Sequence, residues 1–288
     1  MNYFPERVAI GKSLSGFLLG AVLLLSSKTI TAEEFQYPLA VVVDKQETIF
    51  VADLKLPGIW KISEGKKEIF FQASKKFRTP LNAVRCLALD NDGNLLAGDS
   101  STREVYRISA QGKPTPLTKG KVGIAMAMAV NSKGEIYVAD LETRSILIIP
   151  SQGGSPEVFV TGLPVRGMGF DQQDNLLVAA HSKNQLLRIT PEKKIEVLIS
   201  GRPFQFSHHL TIDADGNRYI ADGYAKTIWK VSSNEKETKP IEFIAGDILK
   251  NPVGLTWHKN LLYVADPKAK AIFIIDQTGK LKSKFPEK

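Results

Sequence analysis

PLAVVVDKQETIFVAD (38–53), VRCLALDNDGNLLAGD (84–99), AMAMAVNSKGEIYVAD (125–140), VRGMGFDQQDNLLVAA (165–180), SHHLTIDADGNRYIAD (207–222) and PVGLTWHKNLLYVAD (252–266) are six versions of one stretch of chain. They end on Asp53, Asp99, Asp140, Ala180, Asp222 and Asp266, at intervals of 40 to 46 residues. Each opens with a compact apolar run, continues through a turn such as DNDGN (90–94) or DADGN (213–217), and closes with a second apolar run. Asp, Asn and Gly tolerate the positive φ angles of a tight hairpin, so the two runs are predicted to be adjacent antiparallel strands.

Reading outward from each copy, a third apolar run follows within a few residues: IWKI from Ile59, VYRI from Val105, ILII from Ile146, LLRI from Leu186, IWKV from Ile228 and IFII from Ile272. A weaker fourth run comes next, and no amphipathic helical stretch occurs after residue 32. Four strands per copy at this period is the signature of a propeller blade. One such unit cannot bury both faces of its sheet, whereas six set radially cover one another and leave only short edges. The prediction is an all-β chain in which residues 33–288 form a six-bladed β-propeller of four-stranded antiparallel blades.

The pattern of Pro-x-Gly (Pro252 to Gly254), an apolar strand, Asp-x-x-Gly-Asn (Asp90 to Asn94) and a strand closing on Val-Ala-Asp (Val51 to Asp53) resembles NHL repeats. These belong to the wider set that includes gluconolactonase-like and strictosidine-synthase-like propellers. The resemblance covers residues 37–285 and implies fold more than activity, since that architecture serves lactonases, lyase-like enzymes and binding modules alike.

The first 32 residues have a different character. Arg7 and Lys12 make a positive start, Phe17 to Leu25 is an almost unbroken apolar run, and small residues precede the acidic pair Glu33 and Glu34. That order reads as a signal peptide cleaved after Ala32, with Ser27 as a competing site, and predicts a secreted or periplasmic protein. The apolar run is short of the roughly 20 residues a spanning helix needs, so no membrane span is expected in the mature chain. The net charge of +8 is scattered along 288 residues, which argues for a solvated surface and against nucleic-acid binding. Cys86 is the single cysteine, so no intrachain disulfide forms and stability rests on the core. A monomer is expected.

The resemblance also implies that the first strand of each blade lines the channel and that its leading residues form a ring at one mouth. Counting five positions back from each turn residue gives Leu39, Arg85, Met126, Arg166, His208 and Val253. In metal-dependent gluconolactonase-like relatives this ring supplies Glu, Asn and Asp ligands to a calcium-type ion. None of the six residues here is a carboxylate or an amide, so no metal and no cofactor is expected. Arg85 and Arg166 instead carry fork-shaped donors suited to carboxylate or phosphate. The fourth copy has Ala180 followed by His181 where the others end in Asp, which removes a negative charge beside Arg166. Arg85, Arg166, His181 and His208, with His209 nearby, are therefore the candidate ligand-binding residues at the channel mouth.

The rival reading pairs each arginine with an acid of a neighbouring blade, such as Asp53, Asp99 or Asp140, as ordinary ion-pair networks do. Two functions stay open at this point. One is a binding module for a small anionic ligand or a protein partner; the other is a gluconolactonase-like hydrolase or lyase with a rearranged, metal-poor site using His208 or His181 as general base.

Overall fold

The computed structural model describes residues 34–286 apart from 56, 57, 75, 77, 235 and 238. The segment read as a signal peptide lies outside the described residues. Among the described residues, 24 strands form six four-stranded sheets, each meandering in chain order. The first blade shows the plan, with β1 (Pro38–Val43), β2 (Ile49–Asp53), β3 (Gly58–Ser63) and β4 (Lys66–Gln72) paired antiparallel throughout. The inner strands of the following blades are β5 (Val84–Leu89), β9 (Ala125–Val130), β13 (Val165–Phe170), β17 (Ser207–Ile212) and β21 (Gly254–His258).

Each inner strand lies against the inner strands of both neighbouring blades, and β21 meets β1, so the six sheets close into a ring. This is the all-β, six-bladed propeller expected from the repeats. Closure needs no exchanged strand, because all four strands of the sixth blade come from residues 254–285. The chain ahead of β1 contributes Phe35 instead, fully buried in the seam between blades six and one, edge-on to Trp60 at 5.8 Å.

The core consists of six apolar clusters, one in each seam between adjacent blades. Successive residues of a strand point to opposite faces, and here both faces meet a neighbour. Leu95 and Ala97 join the cluster shared with blade one, while Leu96 joins the one shared with blade three. This is why the second strands, such as LLAGD and IYVAD, are buried at every position and read as unbroken apolar runs. Trp60, Tyr106, Trp229 and Phe273, each second in its blade's third apolar run, also belong to these seams. The fourth strands face solvent on one side, which explains their faint sequence pattern; that of the second blade is only Pro114–Pro116.

At one end of the ring, the hairpin tips between first and second strands are tied blade to blade. Asn91 Nδ2 donates to Asn131 O at 3.2 Å, Ser132 N to Asp174 Oδ1 at 3.0 Å, and Gln172 Nε2 to Ala214 O at 2.9 Å. Lys259 Nζ reaches Glu47 Oε1 at 2.8 Å and links blade six to blade one. The other end is left to loops that follow the second strands and lead into the next inner strand, and the candidate site lies there.

The inner strands approach closely enough to demand small residues. A Cβ at Gly167 on β13 would sit 2.6 Å from the Cα and carbonyl carbon of His209 on β17, and closer still to Leu210 N. A Cβ at Gly169, two residues on, would meet nothing nearer than Ile212 Cδ1 at 3.4 Å. Gly167→Ala is therefore expected to cost at least about 2 kcal/mol, a fall of roughly 4–8 °C in melting temperature for a domain of this size, with Gly169→Ala changing little. Thermal unfolding of the two variants side by side checks this.

Candidate functional site: the loop-rich mouth of the channel

The ring is aimed by a backbone device. The ladder between first and second strand slips by one residue at Leu39, Arg85, Met126, Arg166 and His208, each of which is the unpaired residue of a β-bulge. Val253 occupies the matching place just ahead of β21, its N–H donating to Ala265 O. A bulge frees its extra residue from the ladder and redirects the side chain. Here that places one side chain per blade at the common axis.

The bulges are held by the recurring acids. Asp140 accepts from Gly123 N at 3.0 Å and Ile124 N at 2.9 Å, the lead-in to its own blade's first strand, and from Glu142 N at 3.0 Å in the turn that follows. Burial alone would raise its pKa, but these N–H donors and Thr143 hold it below the usual carboxylate range. Asp53, Asp99, Asp222 and Asp266 make the same two-sided clamp. In blade four the equivalent donors are Leu163, whose N–H bonds Arg144 O, and Pro164, which has no N–H. On the entering side nothing requires a carboxylate, so Ala180 leaves no donor stranded there.

Arg85 and Arg166 are two blades apart yet share one space. Arg166 has its pKa lowered by burial first and by the charge of Arg85 second, with Tyr224 acting in the opposite sense. Arg85 Nε donates to Ser100 Oγ at 2.9 Å, which fixes the plane of its guanidinium. The guanidinium of Arg166 lies over the ring of Phe206, 5.4 Å from its centre, and its buried Nε has no hydrogen-bond partner. Neither arginine forms an ion pair among the described residues. The pairing with Asp53, Asp99 or Asp140 that sequence reasoning offered as a rival is thus not what the structure holds: those carboxylates are occupied by backbone N–H groups.

Two histidines join the arginines. His181 stands 2.8 Å from Ser207 O through Nε2, which must carry the proton to serve a carbonyl, and meets Phe206 edge-on at 4.1 Å. Burial and the charges of Arg166 and Arg202 lower its pKa, although the Ser207 bond opposes them. His208 is pushed down to about 4, by burial first and then by Arg166 and His181, against Asp222. Its imidazole lies against Gly223, where a Cβ would be 2.7 Å from Nε2.

His209 is placed elsewhere. It takes the position of Cys86, which faces the following blade, and therefore belongs to the seam between blades five and six. Burial alone pushes it to about 4; no charge of the mouth contributes. Sequence reasoning grouped it with the mouth, and the register separates it.

Two residues escaped that reasoning, Phe206 and Tyr224. Their rings stack at 4.7 Å with 22° between planes, and Phe206 also lies 4.7 Å from His208. Phe206 stands two places before the ring residue and Tyr224 two places after the acid. Applying the rotational count to those positions, as it was applied to the ring, would have found both. A cleft of about 570 Å³ between blades two and three, bounded by Ser100, Thr102 and the Arg103–Glu142 ion pair, adjoins the mouth through Ser100.

Taken together, fold and site define a six-bladed propeller with a cationic, aromatic mouth. No protein-family model matches the chain, and no curated protein matches it in sequence. Solved structures do share the fold. Virginiamycin B lyase from Staphylococcus aureus aligns with a TM-score of 0.66 at 16% identity, over 88% of this chain and 86% of that one. A gluconolactonase from Xanthomonas campestris gives 0.68 at 15%, over 82% and 85%. A chain of the nidogen/laminin complex gives 0.67 at 19%, over 86% and 92%. These neighbours agree with the NHL and gluconolactonase-like propeller resemblance at the level of fold.

The depressed histidines make an expectation about acid. Above pH 6.5 both His208 and His209 are neutral folded or unfolded and cost nothing. As pH falls from 6.5 toward 4, the unfolded chain binds protons that the folded one refuses, so stability drops by about 1 kcal/mol per pH unit for each. Denaturant unfolding at pH 7.0, 6.0 and 5.0 should show this slope, with His181 and His258 adding to it because their pKa values are lowered too, and His209→Gln should remove one histidine's share, about 1 kcal/mol per pH unit.

Proposed function

We propose that this chain is a binding propeller that holds a small anionic ligand at the loop-rich channel mouth, with Arg85 and Arg166 as its charged contacts. The observation that carries the reading is the convergence of two guanidinium groups with no carboxylate between them. Like charges brought together where water is partly excluded raise the free energy, and an anion placed between them lowers it. Arg166 Nε, buried without a partner, is a donor in want of an acceptor. Ser100 presets Arg85, so less side-chain freedom is lost on binding. The ring offers hydrocarbon and cationic groups and no hard oxygen ligand, which favours an anion over a metal ion. The order of residues 1–32 supports work outside the cytosol.

A hydrolase or lyase using His208 draws support from a neutral imidazole beside a cation. Two features weigh against it. A base whose conjugate acid has a pKa of about 4 is far from the poise that favours proton abstraction near neutrality. No carboxylate orients the ring either, since Asp222 is engaged by Gln205 N, Phe206 N and Trp229 Nε1.

Calorimetric titration with acetate and inorganic phosphate tests the reading. Binding should weaken about 10- to 100-fold in Arg166→Ala, the loss of one charge-assisted contact. Because the charges are arginines, acetate affinity should be nearly constant from pH 6.5 to 9. A fall across that range would assign the site to a titrating histidine, and lactone turnover would favour the enzyme.

A further inference from the structure

The mouth contains more aromatic surface than capture of a bare anion requires. Tyr224 is 65% exposed. The other strongly exposed apolar side chains, among them Val158, Val197 and Ile241, sit almost entirely on outer strands, where a sheet edge meets solvent. Tyr224 differs because it stands on the loop between the second and third strands of blade five, beside Arg166, whose pKa it raises. One face of its ring lies on Phe206 and its exposure leaves the other open.

Phe206 is the hub of the arrangement. It is flanked by His181, His208 and Tyr224 and covered by Arg166. A guanidinium over an aromatic ring is held by cation–π attraction while its N–H donors, which lie in its own plane, stay free for an anion. Both histidines are neutral near pH 7, so they act here as planar, weakly polar walls and not as charges. The mouth thus presents guanidinium donors, among them the unpartnered Arg166 Nε, beside an open aromatic face.

Building on the anion-binding reading, we infer that the ligand is an aromatic carboxylate: a planar ring that stacks on Tyr224 with its carboxylate turned to Arg166 and Arg85. A ring on Tyr224 continues the stack begun by Phe206, and offset stacking adds affinity beyond the area buried. An aliphatic acid of similar size reaches the same arginines without that gain.

The probes are phenylacetate, hexanoate, acetate and the uncharged phenylacetamide, titrated calorimetrically into the wild-type protein, Tyr224→Ala, Tyr224→Phe and Arg166→Ala. Phenylacetate should bind about tenfold more tightly than hexanoate to the wild type, and phenylacetamide far more weakly than either. Tyr224→Ala should weaken phenylacetate more than hexanoate and so erase the advantage of phenylacetate, Tyr224→Phe should retain it, and Arg166→Ala should weaken both acids. Equal affinity of phenylacetate and hexanoate in the wild type overturns the inference while the anion reading stands. Failure of every acid to bind overturns the anion reading itself. The wild-type series needs no variant, so neither outcome depends on how a substitution folds.

Discussion

A buried aspartate that grips backbone on two sides is the constraint from which the site follows. Its carboxylate accepts from the chain entering its blade and from the turn leaving the second strand, so segments 15 to 18 residues apart are fixed to one point. Stranding those N–H donors in a seam would cost about 1–3 kcal/mol for each. The clamp sets where the first strand begins and hence where the bulge falls. The bulge in turn decides which side chain meets the axis. Aspartate suits the task because two short carboxylate oxygens reach several N–H groups at once without needing a charged partner.

Blade four shows the same logic by exception. Pro164 removes one donor and Arg144 O takes the other, so the entering chain needs no acid there. Its loss has an electrostatic consequence at the mouth. An aspartate at position 180 would lie beside His181 and near Arg166; with alanine there, the guanidinium keeps its charge uncompensated. A local change in backbone hydrogen bonding thereby alters the field at the centre of the ring. The histidines do not add to that field near neutrality, since burial and the arginines themselves keep them unprotonated.

Much of this was legible in the repeats. The period, the turn residues and the apolar runs define six blades, because a unit unable to bury its own faces leaves few ways to arrange its copies. The rotational count also found Arg85, Arg166 and His208, since it depends only on equivalent places in equivalent blades. His209 was misplaced because adjacency in sequence was taken as adjacency in space, whereas register sends it into a seam. The arginine partners could not be read from composition. Five acids near the mouth suggest ion pairs as readily as backbone acceptance at the turn that follows each of them, and the structure decides for backbone N–H groups, adding those of the lead-in strand. Phe206 and Tyr224 lie on lead-in and loop positions whose residues vary from blade to blade, so only the rotational count, extended two places before the ring residue and two after the acid, marks them.

Because clamp and bulge work through backbone and a single aspartate, the ring side chains are free to differ among blades. The result is a mouth without rotational symmetry. Leu39 and Val253 place hydrocarbon on the adjoining blades one and six, Met126 adds more on blade three, and Arg85, Arg166 and His208 occupy blades two, four and five. The backbone frame is close to sixfold while the chemistry mounted on it is one-sided. The ligand proposed above has two unlike ends and would meet such a mouth in one orientation, its charge toward the arginines and its apolar part toward Tyr224. A symmetric or uniformly polar ligand gains nothing from that division. The fold therefore supplies position, and the departures from repetition set the chemistry of the mouth: Ala180 in place of the acid, Pro164 in place of a donor, Phe206 where blade two has Ala83, and Tyr224 where blade one has Lys55.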